Sequence, residues 1–319
     1  MSLSVIIGSE GQDGRLLYDQ LVAAGESVVG IGRGGVRSHG CEVPPFHGIA
    51  DAKSVRDLVR ETRPSALYYL ASFHHSSQEN ALTDASALMT PSLEVHVTGL
   101  LHFLDALKHE APGCHVFYAA SALVFGDGNG SVLQDENTPL RPRCIYGITK
   151  TAGIHLCQKH REKDGLPASA GILFNHECHL RQEKFVSKKI INAAVRIKQG
   201  RQDHLVLGNL SAQVDWGYAP DYVKAMRAIC ALPQGDDFVI ATGTLHTVQE
   251  FVDAAFGALG LDSRNHVSQA QAGQVLTRSR CAMAGDSSRL TRATGWKPET
   301  SFAQMIENMV QHALQEHIQ

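Results

Sequence analysis

The amino-terminal run Leu3-Ser4-Val5-Ile6-Ile7 stops at a glycine, and two more glycines follow at three-residue intervals in Gly8-Ser9-Glu10-Gly11-Gln12-Asp13-Gly14. Beyond them Leu16, Leu17, Leu21 and Val22 recur at helical spacing. An unbroken apolar run before the turn and a helical period after it predict strand, glycine turn and helix. Glycines at the carboxyl end of a first strand let the backbone approach a pyrophosphate, while the helix start offers free N–H groups and a favourable dipole. The same spacing also occurs in turns that bind nothing, so the flanking strand and helix carry the weight. Gly8, Gly11, Gln12, Asp13 and Gly14 are thus candidates for holding a dinucleotide, with Leu70, at the end of a later buried run, beside them.

Further apolar runs lie at 27–31, 66–70, 115–119, 168–174 and 237–241, with helical patterns at 53–61, 91–108 and 146–164 between them. Strands that are apolar on both faces and alternate with helices imply a parallel sheet covered on each side, the doubly wound α/β Rossmann arrangement. After about Phe174 the alternation loosens, although helical patterns continue at 185–199, 219–230, 248–259 and 302–317. We therefore expect a dinucleotide-binding domain over 1–173, with later returns near 210–243, and a mainly substrate-binding region over 174–319. A hydrophobic content of 43% in 319 residues supplies the core this needs.

Composition also removes whole classes of function. A net charge of −3 leaves no basic excess to neutralise a phosphate backbone, so no nucleic-acid partner is expected. The seven cysteines are scattered and form no CxxC pair, which suggests neither a disulfide framework nor a zinc site. His74-His75 and His176-Glu177-Cys178-His179 likewise lack metal-ligand spacing, and no metal is expected. Without a signal-like start or an apolar run of about 18 residues, the expectation is a cytoplasmic protein that does not enter membranes.

The second apolar run ends Gly30-Ile31-Gly32-Arg33-Gly34-Gly35-Val36-Arg37, with no carboxylate to hold a ribose 2′-hydroxyl. Arg33, or Arg37, would instead meet a 2′-phosphate, which favours NADP. Tyr146 and Lys150 stand four residues apart on one helical face. A phenol beside a fixed cation loses its proton more readily, so it can act as acid or base toward a sugar hydroxyl or ketone. Ser121 follows the run at 115–119 at the sheet end where α/β folds place ligands, and completes a catalytic trio of Ser121, Tyr146 and Lys150.

With these motifs the chain resembles the extended short-chain dehydrogenase/reductases of the epimerase/dehydratase superfamily, and within them is most similar to the GDP-mannose 4,6-dehydratases. The resemblance is carried by the glycine turn, Tyr146 to Lys150, Gly171-Ile172-Leu173-Phe174-Asn175-His176-Glu177, Phe185 to Ile190, Asp215-Trp216-Gly217 and Gly295-Trp296-Lys297-Pro298. It implies a nucleotide-sugar substrate, GDP-linked as in the family, with Asn175, His176, Glu177, Lys188 and Arg278 on the substrate side. It also implies a homodimer built on the helices at 91–108 and 146–164.

Three features depart from the family. One is a shortened segment around Thr277-Arg278-Ser279-Arg280-Cys281, where the dehydratases have a longer stretch that contacts the guanosine half, so guanosine specificity is less secure than the fold. The dehydratases carry a glutamate two residues after the catalytic serine or threonine to take the C5 proton, where this chain has Leu123. Loss of a positioned acid–base group costs on the order of 10²–10⁴ in rate. Glu94 or Glu177 could take its place in space. The relatives also carry a diphosphate-clamping arginine where Val214 stands, a function that Arg181, Arg278 or Arg280 could supply. The reading that follows is a reductase of a GDP-linked 4-ketosugar. Its alternatives are a 4,6-dehydratase or epimerase with a relocated acid–base residue, the latter with Cys178 and His179 as proton carriers, and a non-catalytic cofactor-binding protein.

Overall fold

The computed structural model describes residues 2–74, 84–127, 132–270 and 282–316. Strands β1 (Leu3–Ile7), β2 (Ser27–Gly32), β3 (Gly35–His39), β4 (Ala66–Tyr69), β5 (His115–Ala119), β6 (Leu133–Gln134), β7 (Ala168–Leu173), β8 (Asn175–Glu177), β9 (Leu205–Leu207), β10 (Gln213–Tyr218) and β11 (Asp237–Ile240) follow in chain order. Seven of them form one sheet in the order β11-β7-β5-β4-β1-β2-β3. All neighbours run parallel except β2 and β3, which form an antiparallel hairpin through Gly32 and Gly35. The expectation of a parallel sheet is corrected there. Every residue of β3 is exposed, so no apolar run marked it as a strand.

The alternation of side chains sorts the sheet's two faces. Val5, Ile7, Leu67, Tyr69, Val116 and Tyr118 meet Val55 and Leu58 of helix α2 (Ala52–Thr62), together with Phe103, Leu107 and Ile154 of the helices Gly99–Glu110 and Ile145–Asp164. Ile6, Tyr68 and Phe117 point the other way, onto Leu17 and Leu21 of α1 (Gln12–Ala23) and Tyr222 and Met226 of the helix Ala219–Cys230. Helices on both faces make the fold doubly wound. A separate core gathers Ile190, Ile191, Trp216, Phe251, Phe256, Met305 and Met309 from the carboxyl-terminal part. Beside it β10 pairs with β8, Trp216 opposite Asn175, which brings that part against the sheet's carboxyl edge.

The helical pattern expected at 91–108 is two α-helices, Ala85–Leu93 and Gly99–Glu110, joined through a π-helical segment Glu94–Thr98. Tyr69 explains it. Its hydroxyl donates to the Val95 carbonyl at 2.5 Å, and the Gly99 N–H bonds Glu94 O instead. A Cβ at Gly99 would come within 2.6 Å of that hydroxyl, so glycine is what admits it. An intruding side chain that takes one carbonyl from the ladder inserts the extra residue of a π-bulge.

Candidate active site

The glycine turn is built by exclusion. Gly8 has φ +94°, and a Cβ there would meet Ala71 N at 2.7 Å; at Gly14 it would meet Gly8 O at 2.3 Å. Gly11 caps α1 without a side chain, so the first N–H groups of that helix are left to a ligand. This cradle fits a pyrophosphate. Gln12 and Asp13 point elsewhere: Gln12 donates to His176 O at 3.1 Å and accepts from Cys178 N at 3.2 Å. Asp13 Oδ2 lies 2.9 Å from His176 Nε2, while His176 Nδ1 lies 2.7 Å from Phe174 O. Both ring nitrogens face acceptors, which is the pattern of an imidazolium. Burial works against both charges, but the pairing outweighs it, holding Asp13 below and His176 above their usual ranges.

From this turn a cleft of about 1050 Å³ runs across the carboxyl ends of β4, β5 and β7. Leu70, Ser121, Leu123, Tyr146, Lys150 and Asn175 all line it, as do Asp13 and His176. Lys150 is buried and its Nζ donates to Ala119 O at 2.7 Å. Desolvation brings its ammonium down to about 7. Ser121 accepts from Leu123 N at 3.3 Å, capping the 3₁₀ turn Ala122–Phe125 and thereby fixing Leu123 in the cleft wall.

Tyr146 has partners that sequence reading did not name. Ser72 Oγ donates to its hydroxyl at 3.1 Å and lies 3.3 Å from His96 Nε2. Phe73 N–H donates to the same His96 nitrogen at 2.9 Å, and His96 Nδ1 lies 2.8 Å from Thr149 Oγ1, whose own hydroxyl donates to Ile145 O at 3.0 Å. These partners assign the ring proton to Nδ1. Burial lifts the Tyr146 phenol above its usual range and the Ser72 hydrogen bond offsets part of that. The expected depression by Lys150 is therefore not what dominates here. Ser72 follows β4 at the ligand-binding edge, and that position was the only sequence signal for it.

Other expected residues lie elsewhere. Glu177 is buried, 3.0 Å from Arg181 Nε, and accepts from Ser187 at 2.7 Å. Glu94 is exposed on the π segment. Neither borders the cleft, so neither stands in for the glutamate replaced by Leu123. Lys188 turns from the cleft to His179 O at 2.9 Å and Glu316 at 3.3 Å, because its face of the helix Val186–Lys198 packs on the carboxyl-terminal helix. Arg33 is exposed at the hairpin tip. Arg278, with Arg280, lies outside the described residues. Arg181 and Lys184 do line the cleft, as does Val214. Among the described residues no His, Cys, Asp and Glu cluster suits a metal, and no helix is long and apolar enough to cross a membrane.

A doubly wound sheet, a glycine cradle at its first turn, and a tyrosine–lysine pair beside a serine in the adjoining cleft define a short-chain dehydrogenase/reductase of the extended kind. The family model for GDP-mannose 4,6 dehydratase matches residues 5–309, and the chain belongs to that family. It is 34% identical to GDP-mannose 4,6 dehydratase 2 of Arabidopsis thaliana over 333 residues, covering 98% of this chain and 87% of that protein. The GDP-mannose 4,6 dehydratase of Homo sapiens is 31% identical over 342 residues, covering 97% and 90%. Among solved structures, RMD from Pseudomonas aeruginosa complexed with NADPH superposes with a TM-score of 0.83 at 21% identity, covering 99% of this chain and all of that one. The dTDP-glucose 4,6-dehydratase of Bacillus anthracis in complex with NAD gives 0.81 at 15% identity, covering 98% and 96%.

Proposed function

We propose that this protein interconverts a hydroxyl and a ketone on the hexose of a nucleotide sugar, most closely as a reductase of a GDP-linked 4-ketosugar. A nicotinamide dinucleotide, when bound, supplies or accepts the hydride. Gly8, Gly11 and Gly14 would hold its pyrophosphate. Tyr146 moves the proton at the sugar oxygen, Ser121 orients that oxygen, and Lys150 holds the nicotinamide ribose. Asn175, Arg181 and Lys184 are the cleft residues suited to the nucleotide and diphosphate. On this reading residues 174–319 mainly hold substrate, and the protein works as a homodimer, which light scattering would report.

Leu123 carries the choice of reductase. It occupies the cleft wall beside Ser121, and among the described residues the carboxylates that border the cleft are committed: Asp13 to His176, and Asp215 to the N–H groups of Thr242, Gly243 and Gly285. Water elimination needs a base at C5. The second reading, a GDP-mannose 4,6-dehydratase, is the one the names of the matched relatives favour. Incubation with GDP-mannose and with 4-keto-6-deoxy nucleotide sugars, followed by the absorbance of reduced cofactor, separates them. A reductase consumes the reduced cofactor in proportion to ketosugar; a dehydratase releases ketosugar from GDP-mannose with no net change.

A further inference from the structure

The sequence offers no acidic residue at the end of β2, yet the folded chain has a carboxylate there. Glu10 leaves the glycine turn and reaches across to the hairpin tip, where its Oε1 accepts from Gly34 N at 2.9 Å. Bare backbone receives it. A Cβ on Gly32 would stand 2.4 Å from Glu10 Cδ, and one on Gly34 would stand 2.6 Å from Oε1. Among the described residues no salt bridge reaches Glu10: Arg37 donates to Ser9 O at 3.2 Å with its guanidinium stacked 3.6 Å over the Tyr18 ring, and Arg33 is exposed at the hairpin tip.

We infer that Glu10 selects the dinucleotide by its adenosine ribose, favouring NAD(H) over NADP(H) in place of the preference expected from Arg33. The end of β2 is where dinucleotide folds read the ribose 2′ position, and an acidic group there accepts from the free hydroxyl. The acidic group here comes from the first turn and not from β2. A 2′-phosphate brings close to two negative charges to the same place and must displace the Gly34 hydrogen bond or face the carboxylate. The inference rests on the reading of the glycine turn as a dinucleotide site.

Isothermal titration of the cofactor-stripped protein with NADH and with NADPH tests it without turnover. The expected result is NADH binding at least tenfold tighter than NADPH, and a ratio moved toward NADPH by tenfold or more in Glu10→Gln, which keeps the shape and removes the charge. Glu10 is exposed, so melting curves should match the wild type. Tighter NADPH binding by the wild type, or an unchanged ratio in Glu10→Gln, overturns the inference while leaving the dinucleotide site standing. Binding of neither nucleotide overturns both. Should Glu10→Gln not fold, Glu10→Thr and the wild-type ratio decide the matter.

Discussion

His176 Nε2 and Asp13 Oδ2 stand 2.9 Å apart, joining the first turn of the sheet to the segment that follows β7. With Gln12 bridging His176 O and Cys178 N, this pair holds the glycine turn against the strand that borders the cleft. Its charge makes the connection sensitive to pH in a definite sense.

The His176 pKa is raised on folding, so its contribution is full below the unfolded value near 6.5 and fades as pH rises through the higher folded value. Asp13 is lowered, so its contribution is full above the unfolded value of 3.8 and fades as pH falls through the folded one. The expected outcome is a His176 ring titrating above 6.5 by NMR in the wild type and nearer 6.5 or below in Asp13→Asn. A ring that titrates below 6.5 in the wild type would remove the ion pair.

Lys150 should cost stability at neutral pH. Unfolded, it is charged below about 10.5; folded, it takes its proton only near 7. The penalty is absent above the higher value, grows as pH falls, and levels off below the lower one. Lys150→Met should therefore melt higher than the wild type at pH 6 to 7, by a few degrees on the order of 1–2 kcal/mol. The gain should vanish near pH 11, and turnover should be lost at either pH. A variant that melts lower at pH 7 would show that the Ala119 hydrogen bond outweighs desolvation.

Ser72→Ala removes the hydrogen bond that holds the Tyr146 phenol down. The base-side limb of the pH–rate profile should move to higher pH, and turnover at neutral pH should fall by roughly fivefold, the equivalent of about one hydrogen bond. Substrate KM should hardly change. An unmoved limb with raised KM would make Ser72 a substrate contact instead.

Leu123→Glu places a carboxylate in the cleft wall beside Ser121. Supplied with GDP-mannose and oxidised cofactor, the variant should release some 4-keto-6-deoxy product, because the ketone formed at C4 acidifies the C5 proton. The wild type should release none. Product from the wild type would favour the dehydratase and end the reductase assignment.

Periodicity exposed the sheet because its central strands are apolar on both faces, and the runs at 3–7 and 115–119 coincide with β1 and β5. It was blind to β3, whose fully exposed residues at the sheet edge need no apolar pattern. Tyr146, Lys150 and Ser121 were legible from spacing and strand position, and the structure brings them to one cleft. Ser72 and His96 were not, since a hydrogen-bonded chain of polar residues from three elements leaves no signature in order or period. Glu10 escapes the pattern for a related reason: β2 ends without a carboxylate, and the one at that edge arrives from the preceding turn. Lys188 shows the reverse error, where a family segment pointed to the substrate and the helix face points to Glu316.

The π segment between Leu93 and Gly99 sets two demands on one rod that a uniform coil could not meet together. Its amino-terminal side must aim His96 at Ser72 and Thr149, and its carboxyl-terminal side must lay Leu100, Phe103 and Leu107 on the sheet. Successive residues of an α-helix turn by about 100°, so a chain one residue shorter here would rotate one set out of phase with the other. Tyr69 marks where the phase is reset. The polar contacts of the candidate tyrosine and the packing of the hydrophobic core thus depend on the length of this stretch, and insertions or deletions within it should be far less tolerated than substitutions on its solvent side.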